Sequence, residues 1–104
     1  MVNPYAAEVA LRIDGQAHVC KLTLGALIEL ELSLDAENLM DLVSRFENQL
    51  FSASDILHVV TAGLRGGGWP GDRGDLLQAD IDGGPMAAAR AAAGMLALAF
   101  VVPD

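Results

Sequence analysis

The chain has 104 residues, with 14 acidic and 6 basic side chains and a net charge of −8. That balance lacks the clustered Lys and Arg with which nucleic-acid binders neutralise phosphates, and it disfavours docking on an anionic membrane surface. Hydrophobic residues make up 53% of it and aromatics 5%, so the composition is that of a folded protein with an aliphatic core.

The length fits one domain, which at this size buries enough surface to need no covalent staple. A lone cysteine, Cys20, allows no internal disulfide and reads as a small buried hydrophobe on a strand in a reducing, cytoplasmic setting. Residues 1–10 have neither the basic start nor the apolar run of a secretion signal. Residues 91–102, the most hydrophobic segment, have about half the length of a membrane span and read as a buried helix.

Residues 8–23 predict a β-hairpin. Val9, Leu11 and Ile13 alternate with Glu8, Ala10 and Arg12, and Asp14-Gly15 is the dipeptide favoured where both turn residues need positive φ. Val19 and Leu22 lie near the centre of the returning run. An isolated hairpin is marginal in water, so its apolar face must pack on helices or pair with another chain, and either edge is open to a partner's strand.

Within residues 21–34, KLTLGALIELELSL, the apolar period changes from two to that of a helix, marking where sheet gives way to helices. Ile28, Leu30, Leu32 and Leu34 alternate as in a strand, but Ala, Leu and Glu dominate and favour a helix starting at Leu24 or Gly25 with Thr23 as its N-cap. Leu30 and Leu32 widen the apolar face, so this helix is expected to be sandwiched between neighbours. In a second helix, capped by Asp35, the residues Leu39, Met40, Val43, Phe46 and Leu50 form the inward stripe. Glu37, Asp41, Ser44, Arg45 and Glu47 take its other face.

Ser52 and Asp55 have capping-box spacing at the start of a third helix, whose stripe is Ile56, Leu57, Val60 and Leu64, with His58 to one side. That helix stops at Arg65-Gly66-Gly67-Gly68, where glycine relieves the left-handed turn and Arg65 suits the helix dipole. Trp69, the single tryptophan, then folds over the core or anchors a partner. Residues 73–81 predict a short helix with Leu76, Leu77 and Ile81 inward. Asp82-Gly83-Gly84-Pro85 breaks it. The last helix, residues 86–101, is rich in Ala and apolar all round through Met95, Leu96, Leu98, Phe100 and Val101, which requires burial in the domain or against a partner.

No catalytic constellation emerges. Residues 63–71 are glycine-rich but follow a helix and lack the Lys-Ser/Thr of a phosphate loop. Asp80-Ile81-Asp82-Gly83 resembles the start of a calcium loop, but its twelfth position is Ala91 instead of a bidentate Glu. His18, His58 and Cys20 have no zinc spacing, no serine sits in a nucleophile elbow, and Arg73-Gly74-Asp75 is a chance tripeptide. The chain reads as a non-enzyme without cofactor or metal.

Two stretches resemble a known family. Residues 22–31, LTLGALIELE, are similar to its L-T-L-G-A-L-x-E-L-E signature, and residues 62–68, AGLRGGG, to its A-G-L-R-G-G-G. The order of hairpin, LTLGAL helix, Arg45-Phe46 helix, Ser52–Asp55 helix, glycine stop and Ala-rich last helix also fits. The chain thus resembles the tail assembly chaperone family of gene transfer agents and prophage-like tails, also described as a tail tube family. The Trp69 loop departs from the more polar connection of that family.

The expected fold is therefore α+β, a hairpin at residues 8–23 followed by four to five helices over residues 24–102 in a single domain. The resemblance implies a non-enzymatic assembly protein of a phage-like tail: a cytoplasmic chaperone for the tape-measure or other tail proteins, or alternatively a structural component such as a tail tube protein. The expected partner-binding residues are Leu24, Leu27, Arg65 and Trp69, with a homo-oligomer as a further option.

Overall fold

The computed structural model of the chain describes residues 8–34 and 38–100. Asp14 and Gly15 have φ of 52° and 81°. With both in the left-handed region, the turn matches the twist of the strands it joins. It folds β1 (Glu8–Ile13) back on β2 (Gln16–Lys21) as an antiparallel pair running from Glu8↔Lys21 to Ile13↔Gln16. This register sets Val9 opposite Cys20 and Leu11 opposite His18, so Leu11, Ile13 and Cys20 share the buried face. Burial pushes the Cys20 thiol up to about 12. Leu22, expected within the strand, is buried just beyond its end.

Five helices follow among the described residues, which makes the chain α+β: α1 (Leu24–Ser33), α2 (Leu39–Glu47), α3 (Ala53–Gly66), α4 (Arg73–Leu77) and α5 (Gly84–Ala99). The centre is α3, which packs against β2, α1, α5 and α4. Its burial is accordingly wider than one stripe: Val59, Val60 and Leu64 are fully enclosed, and Thr61, Ala62 and Gly63 are buried beside them. The expected capping box is present. Ser52 Oγ accepts the Asp55 N–H at 3.0 Å, and Asp55 Oδ2 accepts the Ser52 N–H at 2.9 Å. At the other end, Gly68 takes the positive φ of 105° that ends the helix.

Thr23 caps α1 as expected, its Oγ1 accepting the Ala26 N–H at 3.1 Å. The expected sandwich is not formed. Only Ala26 and Leu30 of α1 are buried, because α3 covers just one side, and Leu24, Ile28 and Leu32 face outward. Of the alternating residues Ile28, Leu30, Leu32 and Leu34, Leu30 is fully buried whereas Ile28 and Leu32 are exposed, so the alternation does not mark one side of α1.

The α2 cap is Asn38, whose Oδ1 accepts the Asp41 N–H at 3.0 Å; Asp35, expected in that role, lies outside the described residues. Leu42, Val43 and Phe46 are the buried residues of α2, whereas Met40 and Leu50 are exposed. The reason for Leu50 is that α2 ends at Glu47 and Gln49 takes φ 58°, so the chain leaves the helical line. Phe51 comes back instead, and its ring stacks on Phe46 with centroids 4.7 Å apart.

Helix α4 is shorter than residues 73–81. Leu76 is buried, Leu77 is exposed, and Ile81 lies outside the helix, where it bridges to Ile13 in antiparallel fashion. In α5, Pro85 sits in the first turn, and Ala88, Ala89, Ala91, Ala92, Met95 and Leu96 are buried. Ala93 and Ala97 are exposed, so the chain's own elements do not enclose the helix all round; small side chains let α3 and β1 approach one side closely. Val101 lies outside the described residues.

The sheet edges are less open than the pattern implied. Beside β1, Asp82 donates its N–H to the Arg12 carbonyl at 3.1 Å, and Asp14 donates to the Asp80 carbonyl at 2.8 Å. Beside β2, Gly66 and Gly67 lie so close to the Lys21 and Val19 carbonyls that an added Cβ would overlap them. Only glycine permits that approach.

Candidate functional site

A cleft of about 600 Å³ lies between α1 and α4, over α3. From α1 it takes Glu29, Leu30, Leu32 and Ser33; from α3, His58, Thr61, Ala62 and Arg65; and from the α4 start, Asp72 and Arg73. The local sequence explains how α4 is held there. Asp72 caps it by accepting the Asp75 N–H at 3.1 Å while Asp75 Oδ2 accepts the Asp72 N–H at 2.9 Å, a second capping box. The backbone N–H of Asp75, first of several hydrogen bonds to the Asp72 carboxylate, holds its pKa below the usual value. The tripeptide at residues 73–75 is thus the first turn of a capped helix.

Charges in the cleft divide into committed and available. Glu29 is paired with Arg65, Oε1 to Nε at 3.3 Å, and Arg65 also donates from Nη1 to the Gly71 carbonyl at 2.9 Å. Asp72 is engaged by its cap. Arg73 has no carboxylate within ion-pair distance among the described residues; its Nη1 lies 3.4 Å from His58 Nδ1. Below them, Thr61 is 7% exposed, and its buried Oγ1 has no hydrogen-bond partner among the described residues. An unpaired buried hydroxyl is costly and rare.

The expected partner-binding residues are distributed around this cleft rather than gathered in it. Arg65 lines it. Leu24 is 75% exposed at the start of α1, and Leu27 is half-buried against the core. Trp69 is half-buried, packs on the core, and lines a separate hollow with Ile13, His18 and Ala79. Thr61, Arg73 and Ser33 escaped the sequence reading. Thr61 sits within an apolar run, and Arg73 opens the expected short helix in a tripeptide set aside as chance, so nothing local marked either one as part of a site.

Among the described residues, no three His, Cys, Asp or Glu side chains could hold a metal ion. The acids at the hairpin turn are used structurally: Asp14 Oδ1 accepts the Asp80 N–H at 2.9 Å, and Asp82 pairs with Arg12 at 3.2 Å. Nor is any described helix long and apolar enough to cross a membrane.

The two glycine-bearing stretches, residues 22–31 and 62–68, meet in space. A Cβ on Gly66 would come within 3.1 Å of the Ala26 methyl, and one on Gly63 would press on Cys20 and Met95. These are positions at which a family pattern would be imposed by packing. Residues 6–101 match the model of a family described as "Phage tail tube protein, GTA-gp10". The chain belongs to this family. No curated protein and no solved structure matches it. As a member of the GTA-gp10 family it is a phage tail-related protein, and association with other tail proteins follows from that membership.

Proposed function

We propose that the chain is a non-enzymatic assembly protein of a phage-like tail, acting as a cytoplasmic chaperone that binds the tape-measure protein before the tube forms. The observation that carries this reading is the outward stripe of α1. Leu24, Ile28 and Leu32 follow one another at four-residue spacing and are all more than half exposed. Exposed apolar surface of this kind marks a binding face, and the net charge of −8 keeps the free protein soluble despite it. Leu24, Leu27, Arg65 and Trp69 are proposed contacts on and around this face.

A structural role in the tail tube is the second reading, favoured by the family's description. Against it stands the size of the sheet: the two strands among the described residues, six residues each, offer little edge for joining subunits into a ring.

Quantitative mass spectrometry of purified particles against producer-cell lysate separates the two. Presence in lysate with absence from particles is the expected result. A fixed stoichiometric presence in particles would establish the tube component instead. In the same system, Trp69→Ala and Arg65→Glu are expected to weaken capture of the tape-measure protein; capture equal to wild type removes those residues from the surface.

A further inference from the structure

The cleft between α1 and α4 combines three features that ordinary surface grooves lack together. Thr61, one of its lining residues, carries a buried hydroxyl, Oγ1, with no partner among the described residues. One of its cations, Arg73, has no carboxylate within reach among the described residues, although the acids lining the cleft are both engaged elsewhere. And its rim is Leu32, 83% exposed, the last member of the α1 stripe. A cation left without a carboxylate among the described residues is a point of charge complementarity for something that arrives.

The shape indicates the occupant. Leu24 and Leu32, with Ile28 between them, stand eight residues apart along the helix, roughly 12 Å at the usual helical rise. A small carboxylate would occupy the Arg73 end and leave that stripe wet. A polypeptide segment covers both. Basic or uncharged segments leave Arg73 unanswered, and segments with acids along their whole length would meet Glu29 and Glu31 on α1.

We infer that this cleft and the adjoining α1 stripe bind a polypeptide segment of another tail protein, one with an apolar face about 12 Å long and a single carboxylate at the end that reaches Arg73. The apolar face covers Leu24, Ile28 and Leu32; the carboxylate takes a charge-assisted hydrogen bond from Arg73; a polar group of the segment satisfies Thr61 Oγ1. The inference rests on the chain's proposed role in binding a tail protein, and it adds the site and the chemistry of the bound segment.

The test uses labelled 15-residue peptides tiling the tape-measure protein and the other tail proteins of the same element, titrated against the full chain by fluorescence anisotropy. Wild type is expected to select peptides with an apolar stripe ending in Asp or Glu. Arg73→Glu, at the first position of α4 where an acid suits the helix dipole, is expected to lower their affinity about tenfold or more. Amidating the peptide carboxylate, as Asn or Gln, is expected to cost the same in wild type and nothing further in Arg73→Glu.

Thr61→Val, nearly isosteric, is expected to weaken binding about three- to tenfold while the free protein melts no lower than wild type, since the exchange removes an unpaired buried hydroxyl. A purely structural threonine would instead lower the melting temperature. The inference is overturned if no tail peptide binds, if Arg73→Glu binds as well as wild type, or if Thr61→Val loses stability without losing affinity.

Co-expression with the whole tape-measure protein, scored for its solubility, separates this from the chaperone reading. Solubility maintained by wild type and by both cleft variants upholds the chaperone and overturns the site. Insoluble tape-measure protein together with Arg73-dependent peptide binding does the reverse.

Discussion

Arg45 Nη1 lies 3.0 Å from both carboxylate oxygens of Asp55, joining the last turn of α2 to the first turn of α3. The Asp55 side chain is only 6% exposed, and one of its oxygens also serves the α3 capping box. The pair therefore fixes how two helices meet at a point where the aromatic stack of Phe46 and Phe51 also sits. Arg45→Met is expected to cost about 3 kcal/mol, because it strands a buried charge. Adding Asp55→Asn should return part of that loss. Urea unfolding of the two single variants and the double variant measures the coupling; a cost for Arg45→Met below about 1 kcal/mol would put the pair with inert surface bridges.

Two glycines of the chain should respond oppositely to alanine. Gly67→Ala forces a methyl into the Val19 carbonyl and is expected to destabilise by about 2 kcal/mol or more. At Gly25, in the first turn of α1, the nearest neighbour to such a methyl is Thr23 Oγ1 at 3.9 Å. There the better helix propensity of alanine should stabilise by up to about 1 kcal/mol. Thermal melts of both variants check the sign.

The Cys20 thiol sets an alkaline limit. Its pKa rises by desolvation from the usual 9.0 to about 12 in the fold, so on raising the pH the unfolded chain loses this proton first. Between those values the folded state binds more protons, and stability falls as pH rises. The contribution is intact below about pH 9 and declines by about 1.4 kcal/mol per unit towards pH 12. Cys20→Ala should be less stable near neutrality and lose stability less steeply above pH 9. Equal slopes for the two proteins would contradict this.

Trp69 packs on the core from a half-buried position, so Trp69→Ala is expected to cost about 2 kcal/mol, less than the full burial of an aromatic side chain would. Wild-type fluorescence should be blue-shifted and shift red on unfolding. An emission maximum already at the solvated position would place the ring in water.

Serine at Leu24, Ile28 or Leu32 should leave stability within about 0.5 kcal/mol of wild type, since these side chains touch little, while reducing self-association at high concentration. Light scattering and urea midpoints together test it. A large loss of stability would mean that the stripe packs within the fold.

Much of this architecture was legible in the chain, and the parts that were not share a cause. The Asp14-Gly15 turn, the Thr23 and Ser52 caps and the glycine stop are local devices, encoded by residues within four positions of one another. Which side of a helix is covered is decided elsewhere. Leu32 and Leu50 carry the same apolar signal as Leu30 and Leu42, and only the placement of α3 and the early end of α2 separate them. Ile81 is a similar case, because its partner Ile13 is far away in the chain. The cleft was the least legible, since Thr61 and Arg73 acquire their meaning only when α4 is brought against α3.

The glycines packed on Val19 and Lys21, with the Asp80–Asp82 backbone bonded along Arg12 and Asp14, act as two seals on the hairpin. A sheet sealed along those stretches does not propagate there from one molecule to the next. If copies of this chain, or this chain and a tail subunit, build a longer structure along those stretches, the growth has to run through helix contacts, and joining strand to strand would first require prising the end of α3 from β2.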